Sequence, residues 1–230
     1  MNWAAKTRSG GPMQASTAAK AAKASSGASG NQRASNGLKE FLWLIGDAKH
    51  GRILDLGPAA QSTLSFFLDK GFGVSTEDLL RAWREFMAGE EDRIRKTPVG
   101  TPVERTAPEV LAKNFLNNAM NYGAESFVGA LAWDVFDYVE PSLAKEVMAK
   151  LYDLLRPGGA VLGLFHSRPA ERFNTYRIAD SQTIELVAAP VLATQVRVFQ
   201  NREILDLFGQ FRSSKTFVGR DQLREALFLK

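Results

Sequence analysis

The first residues whose types and spacing suggest chemistry are one glycine and one acid. Gly57 directly follows the apolar run ILDL, and Asp78 comes 21 positions later in ILDLGPAAQSTLSFFLDKGFGVSTEDL, residues 53 to 79. In doubly wound α/β folds, an acid about 20 residues after the glycine turn accepts hydrogen bonds from ribose hydroxyls. A carboxylate there also disfavours a 2′-phosphate, so the pair indicates a ligand with an unmodified ribose rather than NADP.

The loop after Gly57 narrows the choice of ligand. Its residues, G-P-A-A-Q-S, lack the second and third glycines with which a dinucleotide loop approaches a pyrophosphate. Pro58 also removes one N–H donor from the loop. A ligand with ribose and adenine but no phosphate tolerates Ala59 better. The alternative is that LDLG is an ordinary strand exit, Asp78 an ordinary strand-end acid, and no cofactor binds.

The elements around these residues alternate between strand and helix. Such alternation predicts an α/β fold, a doubly wound and mostly parallel sheet with helices on both faces. The predicted strands are RILDLG, FGVSTED, a short one in PEVLAKNFLNN, SFVGALAW, the central AVLGLFHS, one within IELVAAPVLATQVRVF, and a final pair around FRSSKTFV and REALFLK. The predicted helices are LKEFLWLIGDA, STLSFFLDKG, LLRAWREFMAGEEDRIRK, PSLAKEVMAKLYDLL and NREILDLF.

Composition limits the class of protein. The 230 residues contain no cysteine and only two histidines, His50 and His166, which excludes a thiolate metal site and argues against any metal centre. No apolar run reaches the roughly 18 residues that cross a bilayer. A soluble, cytoplasmic protein with no membrane partner is therefore expected.

The net positive charge of the chain comes from its N-terminal residues. Residues 1–39 carry six basic and no acidic residues, and the rest carries 23 basic and 25 acidic ones. The folded part is therefore not expected to bind nucleic acid. Residues 1–36 are rich in Ala, Ser, Gly and Lys, which predicts a disordered basic tail, followed by one domain over residues 37–230.

Two stretches resemble a known family. The glycine-loop stretch quoted above, followed by SFVGALAWDVFDYVEPSLAKEVMAKLYDLLRPGGAVLGLFHS, is similar to class I S-adenosylmethionine-dependent methyltransferases over roughly residues 40–165. The resemblance implies a seven-stranded sheet whose last strand is antiparallel, with RSSKTFVGRDQLREALFLK as the closing hairpin. It also implies S-adenosylmethionine as the cofactor and methyl transfer to an unidentified small-molecule or protein acceptor.

The resemblance carries roles onto individual residues. Asp55 would orient the loop and the methionine amino group, Gly57 would let the cofactor approach the backbone, and Asp78, or else Glu77, would accept the ribose hydroxyls. Asn117 or Asn118 would lie beside the adenine amine, and Asp134 would line the sulfonium and substrate side. The family's three loop glycines correspond to Gly57, Ala59 and Gln61 here.

Asp134 would orient an acceptor amine or the methionine ammonium, or else cap the helix of VFDYV. Other residues outside the glycine-loop stretch also have structural interpretations. His166 is placed for general-base work or for a structural hydrogen bond at a strand end. Asp137 is expected to be a solvated helix residue. Arg168, Arg172 and Arg177 would meet an anionic acceptor or simply be solvated.

Three functions compete at this point. The first is methyl transfer, and the second is a non-catalytic binding or scaffold protein that keeps the fold with an altered glycine loop. The third is an NAD-dependent oxidoreductase, which the missing pyrophosphate glycines disfavour.

Overall fold

The computed structural model describes residues 31–48, 50–98, 106–219 and 221–230. Residues 1–30 of the predicted tail lie outside these ranges, as do residues 99–105 of the loop before PEVLAKNFLNN. Residues 31–36 correct the predicted tail boundary, because Asn31–Ala34 form strand β1 and helix α1 begins at Asn36. An N-cap hydrogen bond from the backbone N–H of Leu38 to Ser35 Oγ fixes the start of α1.

A six-stranded sheet forms the centre of the molecule, in the order β3-β2-β4-β5-β9-β8. Its first four strands are parallel, whereas β9 is antiparallel to both β5 and β8. The mostly parallel sheet and the closing antiparallel hairpin are thus confirmed. The strands are β2 (Arg52–Asp55), β3 (Gly73–Thr76), β4 (Phe127–Trp133), β5 (Leu155–His166), β8 (Ser213–Val218) and β9 (Leu223–Leu229).

The short strand expected in PEVLAKNFLNN is wrong, because Pro108–Ala119 form a helix, and the central sheet has six described strands rather than the seven expected. The buried residues of this helix, Ala112, Phe115 and Leu116, follow helical spacing, and a proline occupies the first turn, where its missing N–H costs nothing. The short-strand prediction missed this period.

Helices cover both faces of the sheet, as a doubly wound fold requires. One face carries α1 (Asn36–Ile45) and α2 (Gln61–Asp69) over a core that includes Phe41 and Phe67. The other face carries α3 (Leu79–Arg95), α4 (Pro108–Ala119), α5 (Val135–Tyr138), α6 (Pro141–Leu154) and α7 (Asn201–Leu207). None of the described helices is both long and apolar enough to cross a membrane.

A second, antiparallel sheet lies beside α2 in the order β1-β7-β6. It consists of β1, β6 (Asn174–Asp180) and β7 (Thr183–Ala188). The backbone N–H of Ile178 in β6 donates to Thr63 Oγ1 of α2 at 3.0 Å. This contact holds β6 next to the helix that follows the glycine loop.

Candidate functional site

A cavity of about 570 Å³ lies at the carboxyl ends of β2, β3 and β4. This is the edge of an open α/β sheet where ligands bind. We call it the glycine-loop cavity. It is lined by residues 56–62, 78, 80, 81, 84, 133–135, 173–177, 187 and 189–192.

Asp55 holds the glycine loop by a hydrogen bond and does not itself line the cavity. Its Oδ1 accepts hydrogen bonds from the backbone N–H of Gly57 at 2.9 Å and from Trp133 Nε1 at 2.6 Å. Burial raises the pKa of Asp55 to about 7, even though both hydrogen bonds act in the opposite direction. The expected role in orienting the loop therefore has a geometric basis.

Gly57 makes room for an indole. A Cβ built on Gly57 would lie 2.8 Å from Trp133 Cδ1, a distance that real Cβ atoms do not show. The missing side chain thus accommodates Trp133, in addition to leaving backbone exposed to the cavity. Trp133 is buried, has a positive φ of 45°, and stacks on Tyr176 with ring centroids 5.6 Å apart. Such a backbone conformation is strained for a bulky residue and is held by these contacts.

Of the two candidate ribose acids, Asp78 lies on the cavity wall. It caps α3, and its carboxylate accepts hydrogen bonds from the backbone N–H of Arg81 and from Arg81 Nε, the latter at 2.9 Å. Glu77 instead accepts a hydrogen bond from the Tyr122 hydroxyl and does not line the cavity.

The residue expected beside adenine is not in the cavity wall. Asn117 is exposed on α4, and Asn118 donates a hydrogen bond to the backbone oxygen of Asn114. Because this segment is a helix rather than a strand, neither side chain is at the edge of the sheet. The structure does not bring Asn117 or Asn118 together with Asp78.

The substituted loop residues line the cavity without closing it. Pro58 and Ala59 lie on its wall, while Gln61 is exposed and donates to Ser65 Oγ at 3.0 Å. Helix α2 begins here with Ala60 as its N-cap, whose methyl side chain makes no capping hydrogen bond to the first amides. The positive end of α2 therefore faces the cavity with free N–H donors.

A buried polar network follows β4. Asp134 is on the cavity wall, and its Oδ2 accepts a hydrogen bond from the Tyr176 hydroxyl at 2.8 Å. Burial raises the pKa of Asp134 to about 7. His166 Nδ1 lies 3.8 Å from the same oxygen and 2.9 Å from Asp137 Oδ2.

Asp137 corrects the expectation of a solvated residue. Its side chain is fully buried, and Oδ2 also accepts the backbone N–H of His166 at 2.8 Å. Burial raises the pKa of Asp137. Burial lowers the pKa of His166, but the hydrogen bond to Asp137 and the nearby carboxylates outweigh it, so that the pKa is raised. His166 and Asp137 thus form a hydrogen-bonded pair.

A second cavity of about 460 Å³ has His166 in its wall. We call it the polar cavity. It shares Asn174 with the glycine-loop cavity. Its wall consists of residues 31, 33, 166, 168–172, 174, 186, 188 and 221–223.

The three arginines expected near an acceptor divide between the cavities. Arg168 and Arg172 line the polar cavity, whereas Arg177 lines the glycine-loop cavity and pairs with Glu185, Nε to Oε2, at 2.8 Å. Within the described ranges, no group of three histidine, aspartate or glutamate side chains is arranged to hold a metal ion.

Sequence reasoning missed Tyr176 and the burial of Asp137. The available signal for Asp137 was its place between two large apolar residues, Phe136 and Tyr138, directly after a buried strand. Tyr176 carried no such signal, because its partner Asp134 is 42 positions away.

No model of a known protein family matches the chain, and no curated protein matches it. Among solved structures, it is similar to Burkholderia thailandensis 1,6-didemethyltoxoflavin-N1-methyltransferase with bound 1,6-didemethyltoxoflavin and S-adenosylhomocysteine, at 16% identity over 84% of this chain and 76% of that chain, with a TM-score of 0.46. It is also similar to a SAM-dependent methyltransferase from Archaeoglobus fulgidus, at 11% identity over 84% and 93%, with a TM-score of 0.45. A third similar structure is the glycopeptide N-methyltransferase MtfA complexed with (S)-adenosyl-L-methionine, at 13% identity over 85% of this chain and 94% of that chain, with a TM-score of 0.39. All three are methyltransferases, but at these identities and scores the likeness assigns this chain neither a family nor an activity.

Proposed function

We propose that the protein transfers a methyl group from S-adenosylmethionine to a small-molecule or protein acceptor. The observation that carries this proposal is the convergence of Gly57, Asp78 and Asp134 on one cavity, from the ends of three neighbouring parallel strands. The loop residues and the acid at the ribose offset suit a nucleoside ligand, and the loop lacks the glycines that a diphosphate requires.

The residues of the cavity match the parts of this cofactor. Asp78 keeps free lone pairs that accept the two ribose hydroxyls, since its bonds to Arg81 use only part of its capacity. The uncapped N-terminus of α2 suits the methionine carboxylate. Leu56, Leu80 and Phe173 give apolar surface for the base. When bound, the cofactor supplies an electrophilic methyl group on a sulfonium.

The chain's own residues would align the acceptor and keep water out. Alignment of nucleophile and methyl removes most of the entropic barrier, so that no dedicated nucleophile is required. Asp134 lies on the wall, is held by Tyr176, and has a pKa near neutrality. It would take the proton that an N–H or O–H acceptor loses on methylation.

Calorimetry with S-adenosylhomocysteine and NAD tests this function. We expect S-adenosylhomocysteine to bind and NAD not to bind. Asp78→Ala should weaken S-adenosylhomocysteine binding about 100-fold, because two hydrogen bonds to a charged acceptor are lost. Asp92→Ala, an exposed acid on the same helix, is the matched control and should leave the affinity unchanged. Unchanged affinity in Asp78→Ala would refute the ribose assignment.

One observation favours the alternative of a non-catalytic binding protein. Asp55 and Gly57 are both engaged by Trp133, so that part of the loop serves internal packing. Under this alternative neither ligand binds in calorimetry. No labelled methyl would then pass to any fraction of a cell lysate supplied with labelled S-adenosylmethionine.

A further inference from the structure

The polar cavity contains more positive charge than its own structure uses. Arg33 is engaged, since its Nε lies 2.5 Å from Asp221 Oδ2 and its Nη1 lies 2.8 Å from Glu225 Oε1. The guanidinium groups of Arg168 and Arg172 have no hydrogen-bond or ion-pair partner among the residues that the structure describes. Guanidinium groups without a protein partner in the wall of a cavity are typical of recognition sites for oxyanions.

The other acids of the wall do not neutralise these two arginines. Asp221 forms an ion pair with Arg33, and Glu171 is the remaining carboxylate on the wall. One carboxylate against two guanidinium groups leaves the wall net positive. A small anion entering this cavity is therefore attracted rather than repelled.

His166 adds a third donor. Its Nδ1 is bound to Asp137, so Nε2 is the ring nitrogen that remains for a ligand in the cavity. The charged groups that face the imidazole are Asp134, Asp137 and Asp221, while Arg224 donates to its backbone oxygen. The raised pKa of His166 favours the imidazolium form, in which Nε2 carries a proton and donates.

The two cavities are close enough to serve one molecule. Asn174 lies on both walls, and His166 of the polar cavity has its Nδ1 3.8 Å from Oδ2 of Asp134, the proposed proton acceptor of the glycine-loop cavity. A ligand anchored at Arg168 and Arg172 would extend past Asn174 towards Asp134.

We propose that the polar cavity binds a carboxylate or phosphate group of the methyl acceptor through Arg168, Arg172 and His166 Nε2. The acceptor is accordingly an anionic small molecule or a protein segment that carries an anionic side chain. The assignment to the acceptor rests on the proposed methyl transfer, whereas oxyanion binding in this cavity does not.

The two histidines allow a direct test by proton NMR. The full chain is titrated with inorganic phosphate and, separately, with acetate at constant ionic strength, and the imidazole Cε1–H signals of His50 and His166 are followed. His166→Gln assigns the signals. We expect the His166 signal to shift in a saturable manner and the His50 signal to stay in place. Tighter binding of phosphate assigns a phosphate-bearing acceptor, and tighter binding of acetate assigns a carboxylate-bearing one.

Variants locate the site. Arg168→Gln and Arg172→Gln should each weaken anion binding about tenfold or more, because each removes a charge-assisted hydrogen bond. Arg202→Gln, an arginine on α7 whose side chain is 92% exposed, removes the same charge elsewhere and should have no effect. An unmoved His166 signal, or equal losses in all three variants, would overturn the proposal.

A parallel titration with S-adenosylhomocysteine separates the two proposals. Anion binding without S-adenosylhomocysteine binding would keep the oxyanion site and remove its link to methyl transfer. S-adenosylhomocysteine binding without anion binding would keep the proposed function and refute the oxyanion site.

Discussion

The two cavities are neighbours, yet their walls are assembled in different ways. The glycine-loop cavity is built mainly around the strand exits of β2, β3 and β4, and its signature residues Gly57 and Asp78 lie within one short stretch of sequence. The polar cavity joins Arg33 near the start of the described chain to Asp221 near its end. The difference teaches that the two signature residues of the sheet edge can be found within one stretch of sequence, whereas the charged residues of the polar cavity come together only when distant segments meet.

The two walls also treat charge differently. Asp55 and Asp134, below and beside the glycine-loop cavity, are buried acids with hydrogen-bond donors on them and a pKa near 7. In the polar cavity, Arg33 is tied by carboxylates while Arg168 and Arg172 are not. Arg33 therefore has a structural role in this wall, whereas Arg168 and Arg172 have the proposed role in anion recognition.

The largest expected effect comes from Arg33→Ala, which breaks the structural part of the polar cavity. Removing one partner from a buried ion pair typically costs about 3–5 kcal/mol, because the carboxylate of Glu225 remains buried. We expect a loss of this size in the free energy of unfolding, measured by urea denaturation. Arg202→Ala is the surface control and should change it by less than about 0.5 kcal/mol.

Unchanged stability of Arg33→Ala would contradict the structural role of Arg33. If Arg33→Ala unfolds like the unmodified protein but loses phosphate binding, Arg33 is a ligand residue. The division between structural and recognition arginines would then be wrong.

A smaller effect is expected from Gly57→Ala in the other cavity. The new Cβ would overlap the buried indole of Trp133, and overpacking of this kind costs about 1–3 kcal/mol. We expect lower stability in urea denaturation together with weaker S-adenosylhomocysteine binding. Gly89→Ala is a matched control, since a Cβ there meets no atom within 4 Å and the residue lies inside α3.

The direction of the stability change expected for the control Gly89→Ala is also defined. Replacing a glycine within a helix by alanine should stabilise the protein by about 0.5–1 kcal/mol. Equal effects of Gly57→Ala and Gly89→Ala would show that Trp133 moves aside freely, and that the loop is not held by the indole.

The smallest expected effect is a change of pH dependence in Asp55→Asn. Burial raises the pKa of Asp55 from 3.8 to about 7 in the folded protein. The folded state therefore holds its proton more tightly, so the stability contributed by Asp55 is complete below pH about 4 and is lost as the pH rises to about 7. The carboxamide of the variant does not titrate, and its oxygen still accepts the bonds from Gly57 and Trp133.

Urea denaturation at pH 6 and pH 7 measures this effect. We expect the unmodified protein to lose about 1 kcal/mol more stability between these two values than Asp55→Asn does, which is somewhat less than one pKa unit is worth. An identical loss in both proteins would mean that Asp55 titrates as an exposed carboxyl group does.

Much of the fold follows from local pattern. Apolar runs bounded by Gly57, Gly71 and the RPGG turn predict the parallel strands and the helices between them. Two parts do not follow. PEVLAKNFLNN is too short for its apolar spacing to distinguish a helix from a strand, and β1 pairs with β7 across more than 150 residues, Asn31 opposite Leu186. Such pairing is set by tertiary contacts and has no local signal.

The candidate site divides in the same manner. The glycine turn and the acid offset placed Gly57 and Asp78 on one wall, because strand ends of a parallel sheet share an edge. The sequence could not show that Asp137 is buried, since its hydrogen-bond partner His166 is 29 positions away. It also could not show which arginines are paired, because Arg33 lies in a stretch whose composition resembles a tail.

Trp133 gives the molecule a built-in optical reporter. Its indole is buried between Gly57 and Tyr176 at the edge of the glycine-loop cavity, whereas the indole of Trp43 is 73% exposed and emits from water. A ligand that enters the cavity changes the polarity around Trp133 or its stacking on Tyr176. Occupancy of the cavity therefore registers as a change in emission intensity or wavelength, without any attached dye.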